Sequence, residues 1–141
     1  MEIKIKYHTD IEPIKKLPNG DWYDLSSAEN VELEVGDFKL ISLGISMKLP
    51  ECYEAHVAPR SSTFKTWGII QTNGVGVIDE SYCGENDIWK MPVYATRKTT
   101  IKKGDRVCQF RILKKQPNYD FKVVEFMEND DRNGFGSTGI N

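Results

Sequence analysis

Short runs in which apolar and polar residues alternate dominate this chain. Such period-two alternation, enriched in β-branched and aromatic side chains, is typical of β-strands. Glycines and prolines separate the runs at positions where turns or strand ends are expected. The predicted strands are 1–7, 31–35, 38–43, 45–49, 53–58, 69–71, 76–79, 88–95, 99–101, 106–113 and 121–125.

Helical periodicity is nearly absent from the sequence. No window keeps apolar residues at the helical spacing for three turns, and the best short candidate, 61–66, is little more than one turn. Many short strands with frequent turns predict an all-β fold, such as a sandwich, a jelly roll or a closed barrel. The 141 residues suit one domain. We expect its body to span 1–127, because the segment 128–141 turns polar and rich in glycine.

Composition narrows the class of protein. The 19 basic and 21 acidic residues give a net charge of -2, which offers no electrostatic basis for nucleic-acid binding. The amino terminus carries charges from Glu2 and has no apolar run that fits a signal peptide or a membrane span. Cys52, Cys83 and Cys108 are widely spaced and lack a CxxC pair, so we expect reduced thiols in a cytoplasmic protein.

The segment 58–68, APRSSTFKTWG, is a candidate phosphate-binding loop. A proline ends the preceding strand, and Arg60, Ser61 and Ser62 then bring a guanidinium and two hydroxyls to the start of a turn. These groups suit a phosphate. The alternative is an N-capped turn with an incidental arginine.

The segment 73–85, NGVGVIDESYCGE, is a candidate catalytic segment. A predicted strand delivers Asp79 to a turn and Tyr82 follows three residues later, a pattern that indicates a hairpin with a carboxylate at its edge. Asp79 could activate a water as a general base. The alternative is an Asx-turn aspartate beside a core tyrosine.

The segment 102–112, KKGDRVCQFRI, predicts a turn at Gly104 and Asp105 followed by a strand. Strict alternation places Val107, Gln109 and Arg111 on one face and Cys108, Phe110 and Ile112 on the other. Arg106 and Gln109 could donate hydrogen bonds to an oxyanion or a base edge. The alternative is a hairpin whose polar face meets water. Asp24, in the segment WYDLSSAE, indicates little by itself.

The tail, DRNGFGSTGIN, combines a charge, an aromatic ring and glycines. Arg132 could bind a phosphate, Phe135 offers a flat apolar face, and Gly134 and Gly136 supply backbone freedom. The alternative is a disordered terminus.

The order of these segments carries a family resemblance. The succession YDL, PRSS, GVIDESYCG, KGDRVCQ and RNGFGSTG resembles the five ordered motifs of the trimeric deoxyuridine triphosphate nucleotidohydrolases, or dUTPases, and the chain is most similar to the phage versions. The resemblance implies a distorted β jelly-roll barrel, a homotrimer and a flexible C-terminal arm, with active sites shared between subunits. It also implies Mg²⁺-dependent hydrolysis of dUTP to dUMP and pyrophosphate by water attack on the α-phosphorus, which limits the incorporation of uracil into DNA.

The resemblance also implies a role for each motif residue. Asp79 would activate the water, Tyr82 would pack under the deoxyribose, and Asp24 would support Arg60. The substrate-binding residues would be Arg60, Ser61, Ser62 and Gln109 for the phosphates, Asn73 with the backbone of Gly76, Val77 and Ile78 for uracil, and Arg132, Phe135, Gly136, Ser137 and Thr138 from the arm. No protein ligand for Mg²⁺ is needed, because the phosphates and water can bind it.

The sequence departs from the family pattern in three places. Asp21 and Trp22 stand where small residues usually precede YDL, Ser62 replaces the more frequent glycine, and the segment 85–97 is rich in large side chains. Trp89 and Met91 in that segment could belong to an interface or to the core. Two other functions remain open: a dCTP deaminase of the same superfamily, and a module whose nucleotide-dependent tail switches its binding to a protein partner.

Overall fold

The computed structural model describes residues 1–135, and these residues form eleven strands and one short helix. Every strand pair is antiparallel. The elements are β1 (Lys4–Tyr7), β2 (Tyr23–Ser26), β3 (Val31–Leu33), β4 (Phe38–Ser42), β5 (Ile45–Lys48), β6 (Tyr53–Pro59), α1 (Thr63–Trp67), β7 (Ile69–Gln71), β8 (Gly76–Ile78), β9 (Lys90–Ala95), β10 (Thr99–Ile101) and β11 (Arg106–Lys114). The prediction of an all-β fold is confirmed.

Two larger sheets and two strand pairs make up the fold. The larger sheet has the order β2-β11-β6-β8, and the second has the order β4-β9-β7. The pairs β1-β5 and β10-β3 complete the described part of the chain. Strand β11 lies between β2 and β6, so the segments YDL, PRSS and GDRVCQ share one sheet.

Aromatic side chains fill the middle of the core. Trp89 and Met91 are fully buried, so both belong to the core of the chain. The Trp89 ring meets Phe110 edge to face at 5.4 Å, and Tyr23 stacks on Phe110 at 5.5 Å. Such geometries are favoured by the ring quadrupoles and add to the free energy of burial.

Helix α1 is fixed at its C-terminal end by two neighbouring groups. Gly68 has a φ of 66°, and a Cβ there would lie 2.5 Å from Arg97 Nε. The Arg97 guanidinium donates to the carbonyl oxygens of Lys65 and Thr66, at 3.1 and 2.9 Å. A left-handed glycine and a cation on the last carbonyls are favourable ways to end a helix.

The structure corrects three expectations. First, 121–125 is not a strand, and Phe121 and Val123 are more than 90% exposed. Its alternating side chains find no partner strand within residues 1–135, and alternation alone cannot supply one. Second, β2 was missed, because YDLS is short and carries an aspartate. Third, a register shift between Arg106 and Cys108 buries both Val107 and Cys108, which breaks the predicted alternation.

Cys52, Cys83 and Cys108 are free thiols in the structure. Cys108 is buried, and burial raises the pKa of its thiol well above the usual range. No helix within residues 1–135 is long and apolar enough to cross a membrane.

The aromatic core gives a stability test. We expect Trp89→Ala to lower the free energy of unfolding by about 3–5 kcal/mol, because it leaves a cavity against Phe110. Met91→Leu, a volume-conserving change nearby, should cost less than about 1.5 kcal/mol. Urea unfolding followed by circular dichroism measures both. Equal losses in the two variants would contradict the central role of the Trp89 ring.

Candidate active site

Asp24 is the centre of an ion-pair cluster that joins three of the sequence motifs. Strand pairing places Asp24 on β2 opposite Gln109 on β11, and Gln109 opposite Ala58 on β6. Arg60 Nε lies 3.2 Å from Asp24 Oδ1, and an Arg106 guanidinium nitrogen lies 3.1 Å from Asp24 Oδ2. The predicted contact between Asp24 and Arg60 is therefore present.

The PRSS turn is held to β11 by a buried threonine. The Thr63 hydroxyl donates to the Val107 carbonyl at 2.9 Å and accepts from the Arg60 amide at 2.8 Å. Gln109 donates to the Pro59 carbonyl at 3.0 Å. These bonds fix the backbone on both sides of Arg60. Sequence reasoning missed Thr63, although a hydroxyl three residues after the start of a turn is a recognisable feature.

A cleft of about 270 Å³ lies beside this cluster. Ser61 is exposed at its edge, and the half-buried Ser62 precedes α1 without a side-chain cap bond. The cleft is lined by Leu17, Asn19, Gly20, Asp21, Trp22, Asp24, Arg60, Ser61 and Gln109. Of the predicted phosphate residues, Arg60, Ser61 and Gln109 thus line one cleft.

Asp21 and Trp22 hold Arg111 in the sheet. Asp21 Oδ2 lies 3.2 Å from an Arg111 guanidinium nitrogen, and the guanidinium carbon lies 5.8 Å from the centre of the Trp22 ring. An ion pair and a cation–π contact thus act on one side chain. Asp21 and Trp22, which stand where the family usually has small residues, thus both contact Arg111 on β11.

Asp79 follows β8 at a second cleft, of about 400 Å³. Tyr82 lies there too, with its amide bonded to the Asp79 carbonyl at 3.0 Å and its hydroxyl to the Ile88 carbonyl at 2.9 Å. The cleft is lined by Val77, Ile78, Asp79, Ser81, Tyr82, Ile88 and Lys90. The turn was predicted correctly, but the hairpin was not, because β8 pairs with β6 and β9 pairs with β4 and β7.

Both oxygens of the Asp79 carboxylate have partners. Oδ2 accepts from the Ser81 hydroxyl at 2.6 Å and from the Ser81 amide at 2.9 Å. Oδ1 lies 3.0 Å from Lys115 Nζ. The Ser81 hydroxyl, the Ser81 amide and then Lys115 hold the pKa of Asp79 well below its usual range. Asp79 is therefore ionised at neutral pH.

Lys115 was missed by the sequence reasoning. Its ammonium bridges Asp79 and Glu80, the latter at 2.9 Å, and both carboxylates raise its pKa, Glu80 more than Asp79. The Glu80 carboxylate accepts from the Cys52 amide, and the Lys115 amide donates to the Cys52 carbonyl, each at 2.9 Å. No spacing pattern connects Lys115 with Asp79, because the strand pairing of β6, β8 and β11 brings them together.

Strand β6 separates the two clefts. Ile78 pairs with Ala55 near the beginning of β6, so Asp79 follows opposite Glu54, whereas Arg60 follows Pro59 at the other end. The six residue steps from Glu54 to Arg60 correspond to about 20 Å along the strand. The two clefts have no lining residue in common.

The remaining predicted residues lie at the uracil segment and in the tail. Asn73 is exposed in the turn before β8, Gly76 is buried, and the Val77 and Ile78 backbones belong to β8. Arg132 and Phe135 are exposed, and Phe135 has a φ of 54°. Gly136, Ser137 and Thr138 lie outside the described residues.

Magnesium is the cation that the resemblance implies. Within residues 1–135, no group of three or more His, Cys, Asp or Glu side chains is placed to hold a metal ion. Asp24 has both oxygens engaged by guanidinium groups. Mg²⁺ keeps several waters and binds substrate phosphates readily. The described side chains therefore fit a Mg²⁺ ion that is bound mainly by a triphosphate and water.

Comparison with known proteins identifies the family. The dUTPase family model matches residues 12–139. The chain belongs to the dUTPase family. It is 58% identical over 140 residues to the SPbeta prophage-derived deoxyuridine 5'-triphosphate nucleotidohydrolase YosS of Bacillus subtilis, covering 99% of each chain. It is 44% identical over 104 residues to the deoxyuridine 5'-triphosphate nucleotidohydrolase of Finegoldia magna, covering 71% of this chain and 70% of the relative.

Solved structures confirm the dUTPase-like fold. The dUTPase of Staphylococcus phage 80alpha aligns with a TM-score of 0.79 at 20% identity, covering 97% of this chain and 98% of that one. The dUTPase of Staphylococcus aureus phage phi11 aligns with a TM-score of 0.76 at 18% identity, covering 92% and 100%. The phi11 structure is described as showing the coordination of a structural Mg(II) ion.

The Asp79 contacts generate a titration prediction. Because an anion-stabilising donor keeps the pKa of a carboxyl low, Ser81→Ala should move the Asp79 titration upward in pH, and Lys115→Met should move it in the same direction. Lys115→Arg keeps the charge and should shift it little. Carbon-detected NMR titration of the side-chain carboxyl measures all three. An Asp79 pKa that is the same in wild type, Ser81→Ala and Lys115→Met would contradict the assigned contacts.

Proposed function

We propose that this dUTPase hydrolyses dUTP to dUMP and pyrophosphate by attack of a water on the α-phosphorus, with Asp79 aligning the water. The observation that carries the proposal is the ionised Asp79 carboxylate, held by Ser81 and Lys115 in the cleft that contains Tyr82. Since the carboxylate has a low pKa, it orients a water better than it removes its proton. The reaction limits uracil in DNA and supplies dUMP.

Tyr82 and the β8 segment bind the nucleoside. The Tyr82 hydroxyl is tied to Ile88, so its ring has a fixed position in the Asp79 cleft and can pack under a deoxyribose. Asn73 and the backbone of Gly76, Val77 and Ile78 recognise the uracil edge. Donors and acceptors fixed in this way discriminate between bases, because a wrong base leaves buried polar groups unpaired.

The Arg60 cleft binds the phosphates. Arg60, Ser61, Ser62 and Gln109 offer a guanidinium, two hydroxyls and an amide, all suitable donors to phosphate oxygens. Asp24 supports Arg60 by orienting its guanidinium. A Mg²⁺ ion bound to the triphosphate would neutralise the charge that develops on the leaving pyrophosphate.

The protein works as a homotrimer in which each site combines residues of different subunits. Phosphorus atoms of one triphosphate are joined through single oxygens, so the groups that hold them must lie close together. Within one chain, however, Asp79 and Arg60 are about 20 Å apart along β6. Asp79 of one subunit therefore faces Arg60 and Gln109 of another.

The arm, 128–141, closes over the nucleotide bound by the body, 1–127. The exposed Arg132 contacts the γ-phosphate and the exposed Phe135 covers the uracil ring. Gly136, Ser137 and Thr138 complete the phosphate contacts. This closure excludes water from the bound nucleotide. The protein acts in the cytoplasm, which is the host cytoplasm if a phage encodes it.

A dCTP deaminase and a protein-binding module are the two alternative functions. A dCTP deaminase has less support, since the relatives described above are all named as hydrolases of deoxyuridine triphosphate. A second role in protein binding has one supporting observation: the 80alpha dUTPase is described as controlling transfer of virulence genes by a G protein-like mechanism. For this chain, a nucleotide-ordered arm is the element that could switch such a partner surface.

The role of Asp79 gives a kinetic prediction. Asp79→Asn keeps the shape but removes the charge that aligns the water, so kcat for pyrophosphate release from dUTP should fall by about 10²–10⁴-fold. Asp10→Asn, at an exposed carboxylate away from both clefts, should leave kcat unchanged. Ammonia is assayed in parallel with dCTP as substrate. Release of ammonia, or full activity of Asp79→Asn, would overturn the assignment.

The shared site gives a complementation prediction. Asp79→Asn and Arg60→Met should each be nearly inactive alone, yet mixed trimers formed by co-refolding should recover activity. In the mixture, some sites combine the intact Arg60 of one variant with the intact Asp79 of the other. If both residues served a site from the same chain, every site would keep one defect, and the mixture would stay as inactive as its parents.

A further inference from the structure

Gln71 is a buried polar side chain that the family motifs do not include. It ends β7 and is 5% exposed. Its side-chain nitrogen lies 2.9 Å from the Val57 carbonyl oxygen and 3.3 Å from the Gly74 carbonyl oxygen. A backbone carbonyl only accepts hydrogen bonds, so the Gln71 atom that faces these two oxygens must be its NH₂ group.

The orientation of Gln71 determines the orientation of Asn73. Asn73 Oδ1 lies 3.0 Å from the same Gln71 nitrogen. The Gln71 NH₂ group has two hydrogens for three oxygens, so at least one hydrogen is shared between two of them. A second donor at 3.0 Å would be repelled, so the Asn73 atom in contact with this nitrogen is its carbonyl oxygen. The Asn73 NH₂ group therefore points away from Gln71. A Cβ on Gly76 would lie 3.3 Å from this NH₂ group, so the group borders the first residue of β8.

The side-chain oxygen of Gln71 also indicates that the Gln71 amide has a single orientation. Gln71 Oε1 is buried and has no hydrogen-bond partner among residues 1–135. Inverting the Gln71 amide would place Oε1 against the Val57 and Gly74 carbonyls, where acceptor faces acceptor. The buried amide is thus held from its nitrogen side alone, at the cost of an unpaired oxygen.

We propose that Gln71 is a specificity-determining residue: it locks the Asn73 amide so that the site presents an NH₂ donor to the base. A donor at this point pairs with a carbonyl oxygen of uracil. It opposes the amino group of cytosine, which is itself a donor, and leaves both groups unpaired. The inference rests on the proposed function, because it concerns the base of the same nucleotide site.

The test compares three nucleotides rather than one rate. Gln71→Met keeps the size of the side chain and removes the NH₂ group, so the Asn73 amide can rotate. We expect the ratio of kcat/KM for dUTP to that for dCTP to fall by roughly tenfold. The ratio for dUTP to dTTP should change by less than about twofold, because thymine is rejected by its methyl group and not by the Asn73 amide.

Two further variants sharpen the result. Gln71→Glu places an acceptor against Asn73 and also against the Val57 and Gly74 carbonyls, so its folding is checked first by circular dichroism. In the folded variant, Asn73 turns its NH₂ inward and its oxygen toward the base, and the dUTP to dCTP ratio should fall further. Thr72→Val, next in the chain and exposed, should change neither ratio. If a Gln71 variant does not fold, Asn73→Asp at the exposed turn replaces the outward donor by an acceptor and should lower the same ratio.

The outcomes separate this inference from the proposed function. A wild-type protein that does not hydrolyse dUTP contradicts the proposed function. An active wild type whose Gln71→Met variant loses activity on all three nucleotides by one common factor shows that Gln71 only supports the turn, which overturns the inference. An unchanged dUTP to dCTP ratio in Gln71→Met, or in Asn73→Asp, overturns it as well.

Discussion

The antiparallel pairing around β6 is the constraint on which the site depends. Strand β6 is bonded to β11 on one side and β8 on the other, so its register places Asp79 beside its first residues and Arg60 after its last. A strand cannot shorten, and this separation of about 20 Å is built into the sheet. In the proposed function, one chain thus carries both halves of a nucleotide site without being able to bring them to one triphosphate. The proposed sharing of the site between subunits rests on this strand geometry.

Single buried polar side chains fix the turns at the ends of this sheet. Thr63 ties the Arg60 turn to β11, and Gln71 ties the Asn73 turn to β6. In each case the side chain supplies hydrogen bonds to backbone groups at an irregular turn. Among the proposed substrate-binding residues, Asn73 is exposed and Arg60 is half-buried, whereas Thr63 and Gln71, which hold their turns, are buried. Substitution of the buried set should therefore affect both stability and selectivity.

The sequence predicts the fold class and most strands because alternation and turn residues are local properties. It fails where a non-local partner decides the outcome. The segment 121–125 is rich in aromatic and β-branched residues, as strands are, yet within residues 1–135 it pairs with no strand. YDLS alternates too briefly to be recognised, and becomes β2 because β11 offers it an edge. The register shift at Val107 likewise depends on pairing that no local pattern contains.

The residues of the candidate site likewise fall into those that local motifs predict and those that depend on non-local contacts. Motif order indicates Asp79, Tyr82, Arg60 and Gln109, because chemistry fixes their residue types. Lys115 and Gln71 have no motif, since they act through neighbours that only the folded sheet supplies.

The two missed residues also differ in what they do. Lys115 acts through its charge on the Asp79 carboxylate, which Ser81 already holds. That carboxylate is exposed, so salt and water screen the interaction. Gln71 acts through hydrogen-bond direction in a buried place, where a reversed donor cannot be compensated by solvent. This difference is why we assign the choice of base to the buried amide of Gln71 and not to Lys115.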